Sequence, residues 1–306
     1  MDHLAENVFE ELWFGEDDPA HADHAASESL AASVAKITGL KPLPVVAQKV
    51  LSELSAPQWQ AHRVASLMER DPSLASMVLR IANSSFYRRG PATTDIRQAV
   101  ARLGGSKLKE LVVGAAAMSV VKAKSGLARS WRDHCASTAA VARELATICS
   151  RTDPTIAFLS GLLHDMGKLL LLETGELAYE SIPEAHDTCD EALPAAERAH
   201  CDFDHAVLGG HVLRVWEIPD PVPQIVAWHH QPVRAYEANA FTADHVALLR
   251  LADRIAEALD ADEEVDPEAV AASIEGEWLG LSPHAYDARA DGIIEARREM
   301  LSAFCA

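Results

Sequence analysis

Hydrophobic residues recur along most of this chain at intervals of three and four, the spacing of helices with one buried face. One stretch carries Val46, Val50 and Leu54 in this register, and Asp71–Pro72 supplies an N-cap followed by proline at the first helical position. A strand would need alternating apolar and polar residues rich in β-branched side chains, and no convincing stretch of this kind occurs. The pattern therefore predicts an all-α protein.

The same pattern divides the chain into four predicted segments. They are an acidic N-terminal segment at 1–29, a helical half at 30–125, a second helical half at 126–260, and an acidic loop followed by a helix at 261–306. A short amphipathic helix is expected at about 3–13 within the first segment. The predicted helices of the second half lie at about 131–150, 154–172, 188–199, 204–215, 219–229 and 243–259.

Charge excludes one class of partner. The formal net charge is −19, and two stretches contain acidic residues but no Lys or Arg: nine acidic residues fall in 1–35 and eight in 260–277. A DNA or RNA duplex is strongly anionic, so we do not expect one as a direct partner. The acidic stretches are typical of solvated ends and loops.

Targeting features and cysteines suggest a location. The N-terminus has neither a basic region nor an apolar core of the kind found in signal peptides, and the apolar stretch Leu111–Val121 is too short to cross a bilayer. The five cysteines form no Cys-x-x-Cys pair, and their number is odd. We therefore expect a cytoplasmic protein with reduced thiols and no membrane contact.

The most informative stretch is residues 161–168, where His164 and Asp165 lie between apolar residues on both sides. A carboxylate is costly to bury in such surroundings unless it is paired or binds a metal. Other ionisable residues also occupy positions that helical periodicity assigns to apolar faces. The complete candidate set is His134, His164, Asp165, His205, His229, His230 and Asp253.

Neutral imidazoles combined with carboxylates suit Fe, Mn, Zn or Ni, so the set predicts a site for a divalent metal. Asp165 is placed to bridge two ions in a binuclear site, and Lys168, one turn later, is a candidate contact for a phosphate. Each residue also has a structural interpretation. A single His on an apolar face is more often a packing residue, Asp253 has Arg250 and Arg254 nearby in sequence, and Lys168 could be a solvated helix residue.

Several motifs together resemble the HDOD family, which is related to the HD and HD-GYP metal-dependent phosphohydrolases. The first half contributes residues 71–74, 79–87, 96–100 and 103–104. The second half contributes residues 161–168, 204–206, Gly209, Trp216, Pro219 and 229–230.

The resemblance implies an all-helical fold in which an HDOD helical half packs against an HD-like bundle, and a role in bacterial signalling. HDOD modules are generally regarded as regulatory or scaffolding units. In HD-GYP relatives, residues matching the seven candidates above would be metal ligands, and the residue matching Lys168 would contact substrate phosphate.

The chain also departs from the HD-GYP pattern. Gln231–Tyr236 replaces the acidic residue and Gly-Tyr-Pro loop that follow the His pair, so cyclic di-GMP hydrolysis is not expected. Ser130 lies where some relatives have an additional Glu ligand. The segment between His164 and His205 is longer than in HD-GYP proteins and could cover the site.

Three functions are compatible with these features. The first, which the missing Gly-Tyr-Pro loop and the acidic surface favour and which we expect, is a regulatory protein that contacts a signalling partner through residues 30–122 and has a metal-binding core. The second is a metal-dependent phosphohydrolase acting on a nucleotide or another phosphoester, with Asp165 and Lys168 as its catalytic residues. The third is a di-iron site for oxygen chemistry, since some HD-fold oxygenases have a similar series of ligands.

Overall fold

The structure is a computed structural model that describes residues 24–84, 87–88, 90–182, 185, 192–238 and 240–304. The predicted helix at 3–13 lies outside these residues, as do positions 85 and 86 of the HDOD-like motif. The described part of the chain is all-α, as the sequence predicts. Its first helices are α1 (His24–Leu40), α2 (Val45–Ser55), α3 (Ala61–Met68), α4 (Pro72–Ala82) and α5 (Ile96–Val120).

The second part is a bundle around one long central helix. It comprises α6 (Gly126–Ile148), α7 (Pro154–Leu163), α8 (Met166–Thr174), a 3₁₀ turn (Tyr179–Ser181), α9 (Ala192–Cys201), α10 (His205–Val215), α11 (Val222–Trp228), α12 (Pro232–Ala238), α13 (Ala240–Asp260), α14 (Pro267–Ala272), α15 (Ile274–Leu279) and α16 (Pro283–Phe304). Helix α6 packs against α7, α13 and α16, and α10 packs against α8 and α11.

Aspartate caps place several helices of the bundle. Asp153 accepts hydrogen bonds from the backbone N–H groups of Thr155 and Ile156 at the start of α7. Asp204 accepts one from the N–H of Val207 and so begins α10 directly at His205. These bonds satisfy donors that the first turn of a helix leaves free.

One prediction is wrong at the position that matters most. The sequence pattern predicts a single helix over 154–172, but the chain turns at His164–Asp165 between α7 and α8, with Asp165 at φ −97° and ψ 14°. Adjacent residues of a continuous helix point about 100° apart. The turn instead allows both side chains to face one site.

One of the apolar clusters joins the two halves of the fold. The same buried cluster includes Leu30 from α1, Val100 from α5, Leu162 from α7 and Phe304 from α16. A stretch at Pro154–Thr174 is long and apolar enough to cross a membrane, but 78% of its most apolar window is buried inside the protein, as in a core helix.

A buried polar group lies where the halves meet. Tyr87 donates a hydrogen bond to the Glu110 carboxylate, and the Arg143 guanidinium lies 3.9 Å from the centroid of the Tyr87 ring. The Glu110 carboxylate is 3.6 Å from Arg143 Nη1. Burial raises the pKa of Glu110 from 4.5 to about 7, although Arg143 and the Tyr87 hydrogen bond oppose the rise.

This shift predicts a pH-dependent contribution to stability. Between pH 4.5 and 7 the unfolded chain loses the Glu110 proton while the folded protein keeps it, so native stability falls as pH rises through this window. Between pH 4.5 and 7, the free energy of unfolding of wild type should fall by about 3 kcal/mol more than that of Glu110→Gln. Urea titrations of both proteins at several pH values would measure the difference, and a difference that stays constant with pH would contradict the assignment.

Candidate metal centre

The seven candidate ligands lie together although they come from five parts of the chain. His134 lies on α6, His164 and Asp165 in the turn after α7, and His205 at the start of α10. His229 and His230 follow α11, and Asp253 lies on α13. Neighbouring imidazole centroids are separated by 5.4 Å (His134–His164), 5.4 Å (His164–His229), 5.6 Å (His205–His229) and 4.9 Å (His205–His230).

Asp165 lies at the centre of the group. One carboxylate oxygen is 3.5 Å from His164 Nε2, and the other is 3.3 Å from His205 Nε2. Lys168 Nζ donates a hydrogen bond of 2.9 Å to the first of these oxygens. Burial alone would raise the pKa of the Asp165 carboxyl, but His164, Lys168 and His205 together hold it well below its usual range. Asp165 is therefore an anion between two sets of imidazoles.

Two histidines are oriented by backbone carbonyls. His164 Nδ1 donates to the carbonyl of Gly161 at 2.8 Å, and His229 Nδ1 donates to that of Val226 at 2.6 Å. Each acceptor lies in the last turn of the helix that precedes its histidine. This arrangement leaves both Nε2 atoms facing the site.

Two other histidines are oriented by carboxylates that are not among the predicted site residues. His205 Nδ1 lies 2.6 Å from Glu197 on α9, and His134 Nδ1 lies 2.9 Å from Asp260 at the end of α13. Such contacts to the outer nitrogen fix the tautomer and ring orientation of histidines that bind metals. Asp260 is seven residues after Asp253 and so lies on the same helix face, a signal that was readable in the sequence. Glu197 offers no such signal.

Proton affinities follow from these contacts. Burial lowers the pKa of His229 to about 3, with His164 and His205 adding to the effect, so this ring is neutral and able to bind a metal. Burial also opposes protonation of His134, but hydrogen bonds to Asp253 and Asp260 raise its pKa to about 10. A metal ion would displace this proton, so binding should release protons to solvent.

The donor atoms fit divalent metal. Ligand atoms of His134, His164 and Asp165 lie within 4.8 Å of one another, and so do those of His205, His229 and His230. In the part of the chain that the structure describes, three buried atoms at the centre make no well-aligned hydrogen bond: His164 Nε2, His229 Nε2 and Asp165 Oδ1. His164 Nε2 lies 3.2 Å from a carboxylate oxygen of Asp253, and Asp165 Oδ1 lies 3.3 Å from His205 Nε2. Unsatisfied buried polar atoms are costly, and metal coordination would satisfy all three.

The site is closed at one end and open at the other. The His164, Asp165 and His205 side chains are at most 1% exposed, whereas His134 and Asp253 are 15% and 17% exposed. A cavity of about 550 Å³ adjoins the open end. It is lined by Ser130, Asp133, His134, Asp260, Arg297, Leu301 and Ser302.

Neighbouring charged residues serve structural contacts. Arg250 and Arg254 pair with Glu275, and Arg250 also donates to the backbone carbonyl of His229 at 2.6 Å. His245 accepts a hydrogen bond from the N–H of Asp153.

Comparison with known proteins identifies the family. The HDOD domain matches residues 40–232, more than half of the chain. The chain belongs to the HDOD family. Asp253, Asp260 and α16 lie beyond the matched segment of this HDOD protein, although they border the same site.

Individual relatives are distant. An uncharacterized protein of Treponema pallidum (strain Nichols) is 24% identical over 211 residues, which are 68% of this chain and 41% of that protein, so the chain spans about two fifths of its length. A "Putative phosphohydrolase" of Shewanella amazonensis SB2B has a TM-score of 0.69 at 23% identity, covering 90% of this chain and 98% of its own. A "Putative signal transduction protein" of Marinobacter aquaeolei VT8 has a TM-score of 0.62 at 19% identity, covering 94% and 67%. These structures share the fold.

Proposed function

We propose that this HDOD protein is a metal-dependent phosphohydrolase with a binuclear centre that acts on a nucleotide or another phosphoester. The observation that carries the proposal is the orientation of four histidines, His134, His164, His205 and His229, whose outer nitrogens are all held by other groups. Asp165 lies between the two sets of ligands and would be shared by both ions. Bound divalent ions would supply an activated water and neutralise charge on the phosphoryl group.

The chain's own residues would bind and orient the substrate. Asp165 raises the pKa of Lys168, which keeps the ammonium charged although burial opposes this. The Lys168 side chain is 15% exposed and its Nζ lies 2.9 Å from Asp165, so the ammonium would contact a phosphate bound beside this carboxylate. The cavity beside His134 would receive the leaving group, and the closed end excludes bulk water.

The missing Gly-Tyr-Pro loop limits the substrate. Helix α12 begins at Pro232, directly after His230 and Gln231. We therefore do not propose cyclic di-GMP as the substrate.

Metal content of untagged, freshly purified protein is the first test. We expect about two ions of Fe, Mn, Zn or Ni per chain. The metal-loaded protein should then turn over a substrate in a screen of nucleotides and sugar phosphates. Protein that contains no metal and takes none up on addition would overturn the proposal.

Lys168→Met provides a second test. Loss of the ammonium should reduce turnover about 100-fold, the effect of removing one donor to a developing negative charge. The metal content should not change, because Lys168 binds no ion. Lys124→Met, which removes an exposed lysine, is the matched control. Turnover of Lys168→Met equal to that of the control would exclude a role for Lys168 in substrate binding.

A regulatory function is the second candidate, and the closed inner end of the site favours it. A centre whose inner ligands are sealed from solvent would serve as a sensor or structural core while α1–α5 contact a signalling protein. If the protein is regulatory, it should bind a partner through residues 30–122. The metal-loaded protein should then show no phosphoester turnover.

A further inference from the structure

The C-terminal helix α16 contacts the open end of the metal centre. Arg297 donates from Nη2 to one carboxylate oxygen of Asp260 at 2.6 Å and from Nε to the Ser137 hydroxyl at 2.8 Å. The other oxygen of Asp260 lies 2.9 Å from His134 Nδ1. His134 Nε2 in turn lies 2.8 Å from Asp253. A continuous series of polar contacts thus joins α16 to two candidate ligands.

We propose that Arg297 is a positioning residue for the metal ion that His134 would bind at the open end of the site, acting through Asp260 on the His134 ring. The inference rests on the metal centre of the proposed function and adds the dependence of that centre on α16. Arg297 does not itself contact a ligand. It orients the carboxylate that orients the imidazole.

His134 depends on an orienting side chain more than His164 and His229 do. His164 and His229 are held by backbone carbonyls that their own helices fix in place. Asp260, by contrast, is the last residue of α13 and its side chain is 26% exposed. A partly exposed carboxylate at a helix end has several available rotamers and competing water. A second partner is therefore required to keep it aimed at His134.

The chemistry of arginine suits this role. Its planar guanidinium presents donors at fixed angles, whereas a lysine ammonium acts as a flexible point charge. Arg297 uses two of these donors to hold Asp260 on α13 and Ser137 on α6 at the same time. Arg297 thereby fixes the Asp260 carboxylate relative to α6, the helix that carries His134.

The arrangement also implies linkage between metal binding and docking of α16. If α16 orients a ligand, an ion bound by that ligand must stabilise the docked helix by an equal coupling free energy. Metal loading should therefore protect the backbone amides of α16 from hydrogen exchange.

Metal titration of Arg297→Gln tests the proposal. Co²⁺ is titrated into metal-free wild type, Arg297→Gln, Arg297→Lys and Arg298→Gln by calorimetry. Arg298 is the matched control, because its side chain is 75% exposed and pairs with Glu295 on the same helix. Arg297→Gln should weaken one of two Co²⁺ affinities about 10- to 100-fold, the usual effect of losing an outer-shell contact. The second affinity and both affinities of Arg298→Gln should match wild type, and Arg297→Lys should be intermediate.

Hydrogen exchange gives a readout that does not depend on activity. Co²⁺ should slow exchange in α16 of wild type and of Arg298→Gln, but not of Arg297→Gln. Two unchanged affinities in a folded Arg297→Gln protein would overturn the positioning role and leave the proposed function standing. A wild-type protein that binds no Co²⁺, Mn²⁺ or Fe²⁺ would overturn the proposed function, and this inference with it.

Discussion

Asp165→Asn is expected to abolish phosphoester turnover and to reduce the metal content from two ions to one or none. The substitution keeps the shape of the side chain but removes the anion that lies 3.5 Å from His164 and 3.3 Å from His205. A neutral amide cannot bridge two cations. Without the carboxylate that would hold the ions, the stabilisation that the ions give the transition state should fall by several kcal/mol. Turnover should therefore decrease by about 10³-fold or more.

Folding of this variant can be checked separately. Lys168 loses the carboxylate that accepts its hydrogen bond, so the metal-free variant should be less stable than metal-free wild type. Circular dichroism and thermal unfolding would show whether it still folds. Asp287→Asn removes one exposed carboxylate from α16 and serves as the control for a changed net charge. Asp165→Asn protein with two bound ions and turnover near that of wild type would refute the assignment of the centre.

Gly167→Ala is expected to cause a large loss of stability. A Cβ atom at this position would lie 2.0 Å from the carbonyl oxygen of His205 and 2.7 Å from its carbonyl carbon. Both are backbone atoms, so no side-chain rotation relieves the clash, and α8 and α10 must separate. Overpacking typically costs 1–3 kcal/mol, and we expect about 3 kcal/mol here.

The same substitution should disturb the metal centre. His205 is the first residue of α10, so moving that helix lengthens its contact with Asp165. Metal binding by the His205, His229 and His230 group should weaken along with the fold. Chemical unfolding and metal titration of one preparation would measure both effects.

Gly39→Ala is the matched control, because Gly39 lies within α1 and an added Cβ would meet no atom within 4 Å. This variant should be neutral or stabilised by up to about 1 kcal/mol, since alanine restricts the unfolded chain more than glycine. Equal stability of the two variants would show that α8 and α10 do not approach as closely at Gly167 as the structure has them.

Local sequence features predicted most of the helices. The three- and four-residue periodicity depends only on which residues of one segment share a face, and Asp–Pro pairs mark helix starts through contacts within one turn. The family was also readable, because its motifs are short and keep their spacing. The break in the helix at His164–Asp165 could not be read from the sequence, because the apolar pattern of 154–172 continues across it.

The seven candidate ligands could be chosen from sequence because each is an ionisable residue on an otherwise apolar face, an arrangement that burial makes costly. Sequence could not show that Asp165 lies between two groups of imidazoles. Nor could it show that Glu197, Asp260 and Arg297 support His205 and His134. Arg297 is 160 residues from Ser137, and contacts over such separations follow from how helices pack. The sequence by itself determined which residues are chemically able to bind a metal, and the tertiary structure decided which of their atoms face one another.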